Sequence, residues 1–264
     1  MEMLNAAMSY PSTFEWIPGT TLLSTRPVMF GTLIVYLLVI FGLQEVMATK
    51  TTPSWVKPAI VVHNLILFLY SATSVITVLY LAISYSLEDE YGFVSVFCDQ
   101  YRKYTSGPMY FLIYTFYLSK YYELLDTVFL ALKKRPIIFL HVFHHVLTLY
   151  TSFSGMDSET TYQWTAVLTN TTIHSFMYYY YLRAAMGAKI WWKKYLTVAQ
   201  MIQFGINVLI LFGWAAIDLN LPEGQDCAGN YFCWWLMFGG MIAFFTLFKA
   251  FFNKSYKKPA AKSE

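Results

Sequence analysis

Long apolar stretches, each close to the length that crosses a bilayer, recur along this chain and are separated by short loops that hold most of its charge. A helix needs about 20 apolar residues to traverse the hydrocarbon core of a membrane. Stretches near that length run over residues 28–47, 58–85, 108–132, 137–154, 162–182, 195–217 and 231–252. They predict an all-α integral membrane protein with seven transmembrane helices in a single membrane domain over residues 1–264. Composition agrees: 57% of residues are hydrophobic and 12% charged, whereas a soluble domain carries about a quarter charged residues. The surplus apolar surface faces lipid. A net charge of +3 is too small to imply a nucleic-acid partner. Residues 1–26 lack a basic start followed by an apolar run, so the first stretch is read as an uncleaved anchor.

The loops sort by charge. Lys50 and Lys57 follow the first stretch; Lys133, Lys134 and Arg135 follow the third; Arg183, Lys189, Lys193 and Lys194 follow the fifth; the basic tail at 253–264 follows the seventh. The alternate loops carry Glu88, Asp89, Glu90 and Asp99, then Asp157 and Glu159, then Asp218, Glu223 and Asp226, with only Arg26, Arg102 and Lys103 basic among them. By the positive-inside rule this alternation puts residues 1–26 on the non-cytosolic side and the tail in the cytosol. Cys98 and Cys227 then share the non-cytosolic side, where the lumen of the endoplasmic reticulum is oxidising enough for a bridge. A Cys98–Cys227 disulfide is expected, with Cys233 the weaker partner. The Lys-rich tail looks like a dilysine retrieval signal but lacks its spacing, which favours a solvated basic tail near anionic lipid.

Ionisable groups inside a span are expensive unless paired or wet, and so mark function. Here they converge. The third stretch carries Lys120, Glu123 and Asp126 in steps of three along one flank, followed by Thr127; the fourth carries His141, His144 and His145; the fifth carries Asn170, His174 and Tyr178; the sixth carries Gln200 and Gln203. At a rise of ~1.5 Å per residue, His141–His145 lie roughly 6–14 Å inside the cytosolic end, and the groups of the other three stretches fall at similar depth, Lys120 nearer the middle.

Three histidines on one helix face invite a metal. Membrane desaturases and hydroxylases use a similar box, but they need several such boxes, and this chain has 5 histidines in all. Without metal, neutral imidazoles supply a nucleophile and a general base, with Glu123 and Asp126 holding their tautomers and Lys120 balancing charge. A metal-dependent lipid desaturase or hydroxylase, and a seven-helix transporter or receptor, stand as the alternatives to an enzyme of this metal-free kind.

The motifs Lys120-x-x-Glu123-x-x-Asp126-Thr127, His141-x-x-His144-His145, Asn170-x-x-x-His174 with Tyr178, and Thr197-x-x-Gln200-x-x-Gln203 resemble, in this order and spacing, those of the ELO family of very-long-chain fatty acid elongases. The resemblance implies the condensing step of elongation in the endoplasmic reticulum membrane, in which acyl-CoA and malonyl-CoA give 3-oxoacyl-CoA, carbon dioxide and CoA without a cofactor or metal. It implies helices 2–7 forming a barrel around an acyl tunnel closed at the lumenal end, with the first helix outside. On this reading His144 is the expected nucleophile, His174 shares the nucleophile or base role, and His141 and His145 orient and shuttle protons; direct attack of the enolate on acyl-CoA, with histidine acting only as base, is the rival route. Asn170, Tyr178 and Gln200 are assigned as hydrogen-bond donors to substrate. Lys133, Lys134, Arg135, Arg183, Lys189, Lys193 and Lys194 become the expected contacts to CoA phosphates. His141, where many polyunsaturated-specific members carry Gln, points to saturated or monounsaturated acyl chains. The other enzymes of the cycle, reductases and dehydratase, are the implied protein partners, with a homo-oligomer left open.

Overall fold

The computed structural model describes residues 10–256. The remainder of the basic tail, with Lys257, Lys258 and Lys262 and the retrieval-like signal, lies outside the described residues, as does the start of the segment at 1–26. A 3₁₀ turn at Tyr10–Thr13 precedes nine helices among the described residues: α1 (Arg26–Ala48), α2 (Val56–Glu88), α3 (Phe93–Cys98), α4 (Gly107–Glu123), α5 (Leu125–Leu132), α6 (Phe139–Asp157), α7 (Gln163–Ala185), α8 (Lys193–Asp218) and α9 (Tyr231–Tyr256). Each expected apolar stretch is helical. The structure differs from the expectation in two places: the stretch at 108–132 divides at Leu124 into α4 and α5, and the loop after α2 contains the short α3.

The sequence explains where the helices start and stop. Pro27 and Pro108 sit in the first turns of α1 and α4, where a missing N–H costs nothing. Gly187, at φ +93°, caps the end of α7 in a left-handed conformation that suits glycine.

Among the described residues four helices, α1, α2, α8 and α9, are long and apolar enough to cross a membrane. Polar residues lower the hydropathy of α6 and α7, and the break at Leu124 shortens α4. The chain is a multi-pass membrane protein. α2 packs on α7, α7 on α8, α8 on α9, α9 on α6, α6 on α4, and α4 on α2; α1 packs against α5 and α6. The outer face of α1 leaves Ile34, Val35 and Leu38 exposed, as a lipid-facing helix requires.

At the acidic end of the bundle, each of the three basic residues is neutralised: Arg26 pairs with Asp157 at 2.7 Å, Arg102 with Asp226 at 2.9 Å and Lys103 with Asp89 at 2.9 Å. Cys98 and Cys227, also at this end, are joined in a disulfide with Cα atoms 4.6 Å apart, and Cys233 is buried and free. Trp164, Trp214 and Trp234 fill the core on this side of the histidines.

Candidate active site

The break at Leu124 falls between the two carboxylates of the third stretch. There the backbone tightens: the Leu124 and Thr127 amides donate to carbonyls only three residues back, Tyr121 and Leu124, each at 3.2 Å. The turn that follows is tied to four other helices. Asp126 Oδ1 lies 2.9 Å from His63 Nε2 on α2, and Asp126 Oδ2 accepts the Tyr178 hydroxyl of α7 at 2.9 Å. Thr127 Oγ1 lies 2.9 Å from His141 Nε2 on α6 and 2.7 Å from the Tyr36 hydroxyl on α1.

One turn earlier, Lys120 and Glu123 form a buried pair. Lys120 Nζ donates to Glu123 Oε1 at 2.8 Å and to Asn170 Oδ1 at 3.1 Å, and stands 4.0 Å from the Phe116 ring centroid. Ser119 also donates to Glu123 Oε1, at 3.0 Å. Glu123 Oε2 has no hydrogen bond among the described residues and lies 3.8 Å from His174 Nδ1. The lysine offsets the carboxylate, so the pair enters the interior without net charge.

The histidines meet one another. The rings of His141 and His145 are 4.6 Å apart and those of His144 and His145 5.5 Å; Phe244 of α9 lies 5.1 Å from His144. Neither His144 nor His145 makes a side-chain hydrogen bond to another described residue, and His174 packs its ring edge-to-face on Tyr178 at 5.4 Å.

A cavity of about 510 Å³ opens beside this layer. His63, Glu123, Asp126, His141, His144, His145, His174, Tyr178 and Gln200 line it, together with Lys133 and Lys193 at the basic end of the bundle and an apolar wall that includes Phe248 and Phe251. Lys120, Asn170 and Gln203 do not line it: Lys120 and Asn170 are engaged behind Glu123, and Gln203, three residues beyond Gln200, turns into the packed side of α8, where it is buried. Lys134, Arg135, Arg183, Lys189 and Lys194 also lie off the cavity wall. Lys134 Nζ donates to the Lys50 carbonyl at 3.2 Å, Arg183 Nη1 to the Tyr179 hydroxyl at 3.3 Å, and Lys194 sits over the Phe252 ring. The Tyr178 hydroxyl is directed at Asp126 and the Gln200 amide at Met177 Sδ, 3.9 Å away.

Sequence reasoning missed two participants. His63 stands in the second stretch with Asn64, and a histidine buried in an otherwise apolar span was the available signal. Tyr36 gave none, because a tyrosine among aliphatic residues reads as an amphipathic side chain at an interface. Among the described residues no three His, Cys, Asp or Glu side chains converge as a metal-ion site.

Fold and site together define a multi-pass helical membrane protein whose imidazoles and carboxylates surround one cavity near the basic end of the bundle. Residues 21–264 match the ELO, GNS1/SUR4, family. The chain belongs to that family. It is 37% identical over 260 residues to Fatty acid elongase sre1 of Dictyostelium discoideum, covering 97% of this chain and 93% of that protein. Fatty acid elongase A of the same organism is 32% identical over 227 residues, 86% of this chain and 82% of its own. Very long chain fatty acid elongase F of Drosophila melanogaster is 32% identical over 253 residues, 89% and 91%.

Proposed function

We propose that this protein carries out the condensing step of fatty acid elongation, joining a long-chain acyl-CoA to malonyl-CoA to give 3-oxoacyl-CoA, carbon dioxide and CoA. One observation carries the reading. His141, His144, His145 and His174 line a single cavity, and the imidazoles of His144 and His145 make no side-chain hydrogen bond among the described residues, which leaves their ring nitrogens for substrate. Membership of a family whose relatives bear the name of fatty acid elongases supports it.

His144 attacks the thioester carbonyl, the C–S bond breaks, and CoA departs as a thiol with the proton that the imidazole gives up. Malonyl-CoA then loses carbon dioxide, and its enolate attacks the acyl-imidazole carbon. The C–N bond breaks and the imidazolate regains a proton. His174, beside Glu123, serves as the base. No metal or cofactor enters this sequence.

All seven hydrophobic elements cross the endoplasmic reticulum membrane in this reading, with residues 1–26 lumenal, the tail cytosolic, and α1 outside a barrel of the other six. The closed circuit of helix contacts, the separation of loop charges and the three ion pairs at the acidic end support that arrangement. CoA binds at the mouth by Lys133 and Lys193, and a saturated or monounsaturated tail runs from the histidine layer towards the lumen. The reductases and dehydratase of the cycle receive the product.

The test is malonyl-CoA-dependent elongation of labelled acyl-CoAs by purified protein in detergent, beside a His144→Ala variant and a metal analysis. Metal-free protein that yields a 3-oxo product two carbons longer, lost in the variant, is the expected result. No condensation, with stoichiometric iron or zinc in the same sample, overturns the proposal.

A further inference from the structure

Of the helices that frame the site, α1 is the odd one. It packs mainly against α5 and α6, with Met47 at its end meeting Val56 of α2, and its outer face is apolar and exposed. Its buried residues are Met29, Leu33, Tyr36, Ile40 and Met47. Tyr36 alone among these carries a polar hydrogen-bonding group, and that group points into the bundle, 2.7 Å from Thr127 Oγ1, which in turn lies 2.9 Å from His141 Nε2. Thr127 is fully buried and Tyr36 nearly so. A phenol in that place needs a reason, because a Phe would pack as well and bring no hydroxyl to bury.

We infer that Tyr36 is a positioning residue for His141, fixing its imidazole as the Nδ1–H tautomer through Thr127. The direction of the chain follows from satisfying its donors. If Tyr36 donates to Thr127, and Thr127 to His141 Nε2, every proton in the chain has an acceptor. Run the other way, His141 donates to Thr127 and Thr127 to Tyr36, and the phenolic O–H is left buried with no acceptor among the described residues. Stranding a buried donor costs more than an ordinary hydrogen bond returns. The first direction wins.

With Nε2 engaged as an acceptor, the proton sits on Nδ1, and which ring nitrogen bears it decides what a histidine can do. Nδ1 has no hydrogen-bond partner among the described residues, and His141 lines the cavity. His141 therefore offers the cavity an N–H donor rather than a lone pair. Resting on the condensing reaction proposed above, this makes His141 the group that stabilises negative charge developing on a carbonyl oxygen, a different task from the nucleophile and base at His144 and His174. It also gives α1 a part in the site that a lipid-facing anchor would not have.

The deciding experiment reads the tautomer directly. Histidine labelled with ¹⁵N in the purified protein, reconstituted in lipid, gives separate nitrogen shifts for protonated and unprotonated ring positions, and the His141 signals are assigned by their loss in His141→Gln. The wild type is expected to show Nδ1 protonated. Tyr36→Phe, which keeps the ring and removes only the hydroxyl, is expected to mix the tautomers and to lower kcat about tenfold with KM unchanged. Thr127→Val is expected to do the same by a second route should the tyrosine variant fold poorly. A wild-type proton on Nε2, or a Tyr36→Phe spectrum identical to wild type, overturns the inference. Absence of condensation by the wild-type protein removes the reaction instead, and the two spectra still decide the role of Tyr36.

Discussion

His63 Nε2 lies 2.9 Å from Asp126 Oδ1, joining the second helix to the turn just beyond the break at Leu124. The other oxygen of the same carboxylate accepts the Tyr178 hydroxyl, also at 2.9 Å. Asp126 is thus the meeting point of α2, α5 and α7 at the cavity wall, held by one donor on each oxygen.

Removing either donor should cost about 1–3 kcal/mol, since each leaves a largely buried carboxylate oxygen without a partner. His63→Leu and Tyr178→Phe are expected to lower the melting temperature in detergent. Because both act on one acceptor, the double variant should lose less or more than the sum of the two, by at least ~0.5 kcal/mol. Strict additivity would mean that Asp126 does not couple them.

The Lys120–Glu123 pair makes a sharper stability prediction. Side chains 2% and 3% exposed leave no water to screen a stranded charge. Lys120→Met should destabilise by about 3–5 kcal/mol, the usual result of breaking a buried pair from one side. Lys120→Met with Glu123→Gln should recover a good part of that, because both charges are then gone. Thermal unfolding of the single and double variants decides it, and a double variant worse than Lys120→Met would show that the pair matters for something other than mutual neutralisation.

How far the sequence foretold these features depends on what each feature rests on. The helices were legible because apolar stretches and loop charges are read residue by residue, and the histidine layer because ionisable groups in such stretches are scarce. The short α3 and the break at Leu124 were not, since both depend on local backbone geometry within segments of unremarkable composition. Steps of three along a helix put Lys120, Glu123 and Asp126 on one flank, but the drift and the break turn Lys120 away from the cavity that the two carboxylates line. Gln200 and Gln203 part for the same reason. Tyr36 was hidden because its meaning comes from Thr127, 91 residues away.

Among the described basic residues at this end of the bundle, only Lys133 and Lys193 line the cavity. Replacing either by Ala should raise KM for a CoA substrate about fivefold, and less so in high salt, as expected for a solvent-accessible charge acting on phosphate. Lys134→Ala should leave KM unchanged, because that ammonium donates to the Lys50 carbonyl. Equal effects at the three positions would indicate a diffuse field over the whole basic end in place of two discrete contacts.

At the opposite end, Asp99 gives the protein a pH-dependent element of stability. Its carboxylate is 1% exposed and accepts the backbone N–H groups of Lys103 at 2.7 Å and Tyr104 at 2.8 Å. Those bonds favour the anion, but burial outweighs them and pushes the carboxyl up to about 6. An unfolded Asp titrates near ~3.9. Between these values the native state holds a proton that the unfolded chain has released, so stability falls as pH rises from about 4 to about 6 and levels off above. The full contribution is on the order of 3 kcal/mol at the usual 1.36 kcal/mol per pH unit. Asp99→Asn tolerates the same left-handed backbone, φ +48° at this residue, and does not titrate. Melting curves in detergent from pH 4.5 to 7.5 should therefore show the wild type losing stability relative to Asp99→Asn as pH rises through that window. Parallel profiles would mean that the carboxylate is ionised in the folded protein throughout, with the two backbone N–H groups prevailing over burial.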